Sequence, residues 1–392
     1  MITVSRIMKR VVLMAALLTC SGIVFSAGQR KAEQSRFIGV WLRPEASLTS
    51  VTAQLDDIQK AGFTDVYLET FYHGFVIYPS QYIPQRPEMK GKDYLDLYIR
   101  EARKRGLKLH AWLEVFYWEV DTKKYPQFPR TPLLDEHPEW RLLLRDGSPT
   151  SKAEDAHNFA NPAHPEVRRL LANMIGEIVG RYDVAGINLD YIRYPAGKPD
   201  AGYDDYTRKL YKKLSGIDPL TIEESTTNPE WRRWVWFKES QVLEMVRLAK
   251  ERIDRVKPQV VLSAAIFPGP ENERYQSSKC QNWREMLRRG YLDAIVPMAY
   301  SSSVEGVQKE IQTVLDAMPP FAETHVLPAL AVQKRTADAY GGPAHPPIAK
   351  QARLVEDLGL PGFSVFCYAW ILDSNEGFSL LQGAGRFAPP KK

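Results

Sequence analysis

Cysteine is scarce in this chain, with three in 392 residues. Cys20 falls in an N-terminal apolar run, which leaves Cys280 and Cys367 for the rest. Two cysteines make no disulfide framework, so the core must carry stability alone. Cys367 lies in an apolar run and reads as a buried thiol. Histidine is thinly spread: His73, His110, His137, His157, His164, His325 and His345 form no HxH or HExxH pair. That argues against a metal hydrolase, and His157 and His164 read as surface or turn residues. No G-x-S-x-G elbow occurs, so a serine triad lacks support. Neither GxGxxG nor a P-loop is present, so nucleotide binding has none. Charge of one sign is not in excess. The net value is +5, with no lysine-rich tail or basic helix face, and nucleic acid is not an expected partner. No metal or cofactor is expected.

Long apolar runs are also missing, apart from Val11 to Phe25. That run is shorter than the roughly 20 residues of a comfortable membrane span. Arg6, Lys9 and Arg10 precede it, and Ser26 and Ala27 follow. This is the order of a secretory signal, expected to occupy residues 1–27. Two competing readings are an uncleaved anchor and a lipidated Cys20 in "LLTC", although Thr19 is unusual for the latter. Membrane contact is expected only in those two cases. All three place the mature protein outside the cytoplasm, secreted or periplasmic.

What is present is repetition. The composition, 44% hydrophobic and 25% charged, is that of an ordinary globular protein. Eight short runs rich in β-branched or aromatic residues occur at 37–44, 65–71, 107–116, 185–194, 260–267, 293–300, 325–332 and 362–370. Each is strand-length. Amphipathic segments at 50–61, 93–105, 165–181, 239–256, 304–318 and 347–358 separate them, with a short one near 282–289. In 165–181, Val167, Leu170, Leu171, Met174, Ile175, Ile178 and Val179 recur at helical spacing. The joins "KAGFTDV", "KRGLKLH", "RRGYLDA" and "DLGLPGF" are nearly one motif, a glycine helix cap followed by a strand. Strand-to-helix loops are long instead: 72–92, 117–164, 195–231, 268–281 and 333–344. Alternation demands parallel strands. Eight units predict an α/β fold, a (β/α)₈ barrel over 36–386, with an open doubly wound sheet as the alternative. The insert 203–237 reads as a helical elaboration of the fourth loop.

The elaborated side is the C-terminal end of the strands, where barrel active sites form. Side chains alternate along a strand. Trp41 and Arg43 are therefore expected to face inward from strand one, and Tyr67 and Glu69 from strand two. His110, Trp112 and Glu114 follow from strand three, and Asn188 and Asp190 from strand four. Met298 and Tyr300 come from strand six, and Phe366, Tyr368 and Trp370 from strand eight. Asp190 and Glu114 end adjacent strands at the rim. Paired carboxyls are what glycosidic cleavage needs. Two so close cannot comfortably both ionise, which separates an acid from a nucleophile or base. Aromatic rings beside them suit sugar faces. Asp190 is the expected nucleophile or base, and Glu114 its partner. Trp41, Arg43, Glu69, His110, Trp112, Asn188, Arg193, Tyr194, Tyr300, Tyr368 and Trp370 are expected to line the cleft. Arg193 would orient Asp190 or hold its pKa low; a plain rim ion pair between them is the competing reading. Glu114 has its own competing role, as a structural partner of Arg43 or His110. Glu69, Glu45, Glu119 and Asp373 are spare acids, expected to be structural or substrate-contacting rather than catalytic.

"HAWLE", "NPAHPEVRR", "YDVAGINLDYIRYP", "YLDAIVPMAY" and "GFVIYPS" resemble the glycosyl hydrolase-like 10 family over about residues 36–372. The resemblance implies a (β/α)₈ barrel in secreted or envelope-bound bacterial proteins, and a member acts on bacterial cell-wall glycan. The family's strand-four acid falls on Asp190 and its strand-six tyrosine on Tyr300. The chain departs from the family at Glu114, where Asn usually follows "HAWL". The departure weakens Glu114 as a catalyst general to the family; the alternative is a subgroup with a different acid or substrate. The expected function is an exported glycoside hydrolase acting on a polysaccharide. A carbohydrate-binding barrel without turnover is the alternative.

Overall fold

The computed structural model describes residues 36–197, 200–269, 279–320, 322–332 and 345–389. The proposed signal segment with Cys20, the whole of loop 333–344 and most of 268–281 lie outside them. Eight parallel strands close on themselves: β1 (Phe37–Leu42), β2 (Asp65–Tyr72), β3 (Lys108–Glu114), β4 (Gly186–Asp190), β5 (Val261–Ile266), β6 (Ala294–Ala299), β7 (Ala329–Ala331) and β8 (Gly362–Phe366). β1 pairs with β8 on one side and β2 on the other, which closes the barrel. A short piece, His325–Val326, pairs with β6 just before β7. Pro328 lies between the two and has no N–H to give the ladder.

Helices follow the strands: α1 (Leu48–Ala61), α2 (Tyr94–Lys104), α3 (Pro165–Arg181), α4 (Pro229–Val256), α5 (Trp283–Arg288), α6 (Val304–Asp316), α7 (Ile348–Asp357) and α8 (Tyr368–Leu372). Ser47, Asp93, Asn228 and Ser303 each cap a helix by accepting a backbone N–H. The repeated join has one physical cause. Gly62, Gly106, Gly290 and Gly359 all take positive φ, between 66° and 93°, which reverses the chain from helix into strand at little steric cost.

The long loops carry structure of their own. In the third, residues 117–120 pair antiparallel with 157–159. In the fourth, a helix at Asp205–Ser215 precedes α4. α4 begins at Pro229, ten residues before the expected start, because Asn228 caps it and Pro229 suits a first turn. Its extra turns bury Trp231, Trp234 and Phe237 against Tyr203 and Tyr211. Beneath them the Lys238 ammonium meets the Asp200 carboxylate at 2.6 Å, both buried. β8 ends at Phe366, and α8 begins at Tyr368. Strand alternation therefore stops short of Tyr368 and Trp370. Residues Ser35–Lys392 form one unit by their contacts.

The Lys238–Asp200 pair makes a test of how the fourth loop is fastened. Lys238→Met leaves a buried carboxylate unpaired and should cost about 3–5 kcal/mol in urea unfolding. Lys238→Met combined with Asp200→Asn should recover much of that.

Candidate active site

Barrel-facing side chains stack from a closed end to an open one. Near the closed end, His110 Nε2 meets Asp65 Oδ1 at 2.9 Å. A Cβ at position 186 would fall 2.4 Å from His110 Nδ1, so glycine opens β4 beside it. Above lies a dry aromatic layer. Trp41 stacks on Tyr67 with centroids 4.6 Å apart and meets Trp112 edge-on at 4.9 Å. Its few polar atoms largely pair inside: Trp41 Nε1 donates to Ser364 at 3.0 Å, and Asn188 Nδ2 to Ser263 at 2.9 Å. This layer is the floor of the site.

Three acids stand on that floor. The β3–β4 register sets Glu114 directly opposite Asp190. Asp190 is partly open to solvent and held by two donors. Tyr191 N–H reaches Oδ1 at 2.7 Å, and Trp112 Nε1 reaches Oδ2 at 3.1 Å. The chain turns sharply there, with Tyr191 in the left-handed region at φ 47°. Burial raises the Asp190 pKa above the ordinary aspartate value, and the Tyr191 N–H, the Arg193 charge and the Trp112 indole offset only part of that rise. Glu114 is different. Its side chain is 2% exposed, and Oε2 has no hydrogen-bond partner. Burial lifts its pKa well above the ordinary carboxylate range, and Glu69 lifts it further.

Glu69, from β2, is also buried, and Arg43 Nε lies 3.3 Å from its Oε2. Arg43 itself is 63% exposed at the rim. His73 Nε2 sits 3.9 Å from Glu114 Oε2. Burial lowers the His73 pKa, so the imidazole is neutral there. Tyr300 lies close enough for Asp190 to help raise its phenol pKa, after burial. Trp370 meets Phe366 edge-on at 5.2 Å and extends the aromatic wall.

Several expected cleft residues stand elsewhere. His110 is at the closed end with Asp65. Asn188 is fully buried in the floor, bonded to Ser263. Trp41 is floor as well. Tyr368, carried away by α8, donates to Asp57 of α1 at 3.1 Å. Tyr194 is fully buried, with the Lys238 ammonium 5.4 Å from its ring. Arg193 forms no ion pair with Asp190. It makes two 2.8 Å bonds to Glu154 from the third loop. Burial would raise the Glu154 pKa, but Arg193 pulls it down to about 2. Among the spare acids, Glu119 pairs with Arg141 at 3.2 Å within the third loop.

Residues that pattern reading missed come from loops. His73 and Glu154 surround the acids without strand periodicity to betray them. The Tyr191 ring packs at 5.0 Å from Tyr117 and under the Arg193 guanidinium at 4.7 Å. Arg86 lies over Tyr72 at 4.1 Å. A glycine after His73 was the one hint of a tight turn; His73 takes φ 50°. Among the described residues, no group of three or more His, Cys, Asp and Glu side chains is arranged to hold a metal ion.

A closed, parallel eight-stranded barrel with acids and aromatics at the C-terminal ends of its strands is a TIM barrel. The sequence profile of the Glycosyl hydrolase-like 10 family matches residues 37–321, and the chain belongs to that family. It is similar to the glycosyl hydrolase DigH of Escherichia coli K12, 25% identical over 269 residues, which cover 63% of this chain and 56% of that one. It is also similar to the glycosyl hydrolase YngK of Bacillus subtilis, 25% identical over 274 residues, covering 63% and 48%. The chain thus spans about half the length of these relatives. Its fold matches the PgaB (BpsB) glycoside hydrolase domain of Bordetella bronchiseptica with a TM-score of 0.64 at 14% identity, over 90% of this chain and 99% of that one. It matches α-L-fucosidase isoenzyme 2 of Paenibacillus thiaminolyticus with a TM-score of 0.60 at 17% identity, over 89% and 48%.

The acid pocket makes a stability prediction. A carboxyl whose folded pKa is raised stabilises the fold while protonated. That contribution fades as pH rises from the ordinary carboxylate range through the raised value. Glu114→Gln removes the titration while keeping the shape. It should be more stable than wild type at pH 7, with a shallower loss of stability above pH ~4. Thermal melts of both proteins across pH 4–8 check this.

Proposed function

We propose that the chain is an exported glycoside hydrolase that cleaves a glycosidic bond of a polysaccharide, with bacterial cell-wall glycan the first substrate to test. One observation carries the reading: two carboxyls in cross-strand register with opposite surroundings. Asp190 is open to the cleft and has two donors, which suits an ionised group. Glu114 is buried, lacks donors on Oε2 and is pushed toward its protonated form. Glu114 gives its proton to the leaving oxygen, and Asp190 attacks the anomeric carbon or activates water. The sugar reaches Glu114 by pressing on the floor between Arg43 and Asp190. Tyr300 and Trp370 offer ring faces to its C–H surfaces.

The near-complete burial of Glu114 and Glu69 favours a second reading. With Asp190 the accessible member of the three, the barrel would bind a glycan without turnover.

Residues 28–392, wild type and Asp190→Asn, are incubated with intact and peptide-free cell-wall glycan, chitin oligomers and plant polysaccharides, and products are read by mass spectrometry. Wild type should release fragments, and Asp190→Asn should release them at least about 10²-fold more slowly. Equal release by both removes Asp190 from the chemistry. No release by either, with retention on one glycan, supports the binding reading.

A further inference from the structure

We propose that Glu69 is a positioning residue that shares one proton with Glu114, and that Arg43 keeps Glu69 the ionised member of the pair. The inference deepens the hydrolase reading and rests on it for its consequence, but its test does not. The geometry begins with unmet demand. Both Glu69 oxygens and Glu114 Oε2 are buried without a hydrogen-bond partner. Two ionised carboxylates offer acceptors alone, so neither could satisfy the other. One proton between them makes a donor and an acceptor, and the two side chains come from neighbouring strands, β2 and β3, whose pairing sets Glu69 beside Trp112, two residues before Glu114.

Position decides who holds the proton. Glu69 has the Arg43 guanidinium at 3.3 Å, and Arg86 is a second cation acting on it. Glu114 is faced by Glu69 and His73 from the β2 side, and by Asp190 and Tyr191 from the β4 side. His73 is neutral, so the charged groups nearest Glu114 are mostly carboxylates. Arg43, beyond β1, also acts on Glu114 but stands against Glu69. Burial lifts both carboxyls; Arg43 then draws Glu69 back while Glu69 pushes Glu114 higher. The proton therefore rests on Glu114 and points at Glu69 until a substrate oxygen competes for it. The cation controlling the acid is the exposed one, where a bound glycan would cover it.

The test is a carboxyl-carbon NMR titration of protein labelled at glutamate, with Glu114→Gln assigning the resonance. Glu69→Gln removes the neighbouring charge and supplies an amide donor, so the Glu114 pKa should fall by about one unit or more. Arg43→Gln should move it upward, since the pair then loses its cation. Opposite directions are the signature, because a merely structural role moves neither. No shift in Glu69→Gln, or shifts of one sign in both variants, would overturn the proposal. Should Glu69→Gln fail to fold, Arg43→Gln decides alone, because its side chain is at the surface: an upward shift supports the proposal, and none or a downward one refutes it. The expected titration in a protein that cleaves no glycan would sink the hydrolase reading and leave this one standing.

Discussion

The register between β3 and β4 is the constraint on which the rest of the site depends. It sets Glu114 against Asp190 and Trp112 against Asn188. A slip of one residue would turn the acid of the shifted strand toward the helices. The register is held because Ala111, Leu113, Ile187 and Leu189 are fully buried on the opposite face. Glycine at 186 lets the two strands meet around His110. Chemistry at the rim is thus positioned by packing several layers below it.

The floor couples core and site directly. Trp112 is a core side chain by its contacts with Trp41 and Phe366, yet its one polar atom holds Asp190. Electrostatics set the opposite demand. Two buried acids and one half-buried acid resist ionisation, and their unfavourable burial is offset by a few specific contacts. These are the Tyr191 N–H, the Trp112 indole and the Arg43 guanidinium. The site is therefore a locally unstable region held by a stable barrel, as expected where function and stability compete.

Most of the fold was legible in the sequence. The eight strands stand out by their apolar runs, and the four glycine joins by a repeated motif whose cause is one backbone conformation. The inward set of β2, β3 and β4 follows from alternation, which is why Glu69, Glu114 and Asp190 could be placed together. Alternation fails where a strand ends. Tyr368 and Tyr194 lie past that point, and local turns send them to Asp57 and to the Lys238 pocket. Depth is harder to read than face. His110 and Asn188 do point inward, but their height in the barrel depends on strand stagger, which sequence does not show. Arg193 stands near Asp190 in sequence, yet its partner Glu154 arrives from a loop with no periodic signal.

The described chain begins and ends at the same place. Arg36, just before β1, donates to the backbone oxygens of Arg386 and Ala388 at 2.9 and 2.7 Å. That junction lies at the closed end of the barrel, and the acids lie at the other. Both ends of the described chain therefore leave the barrel from the face opposite the acids.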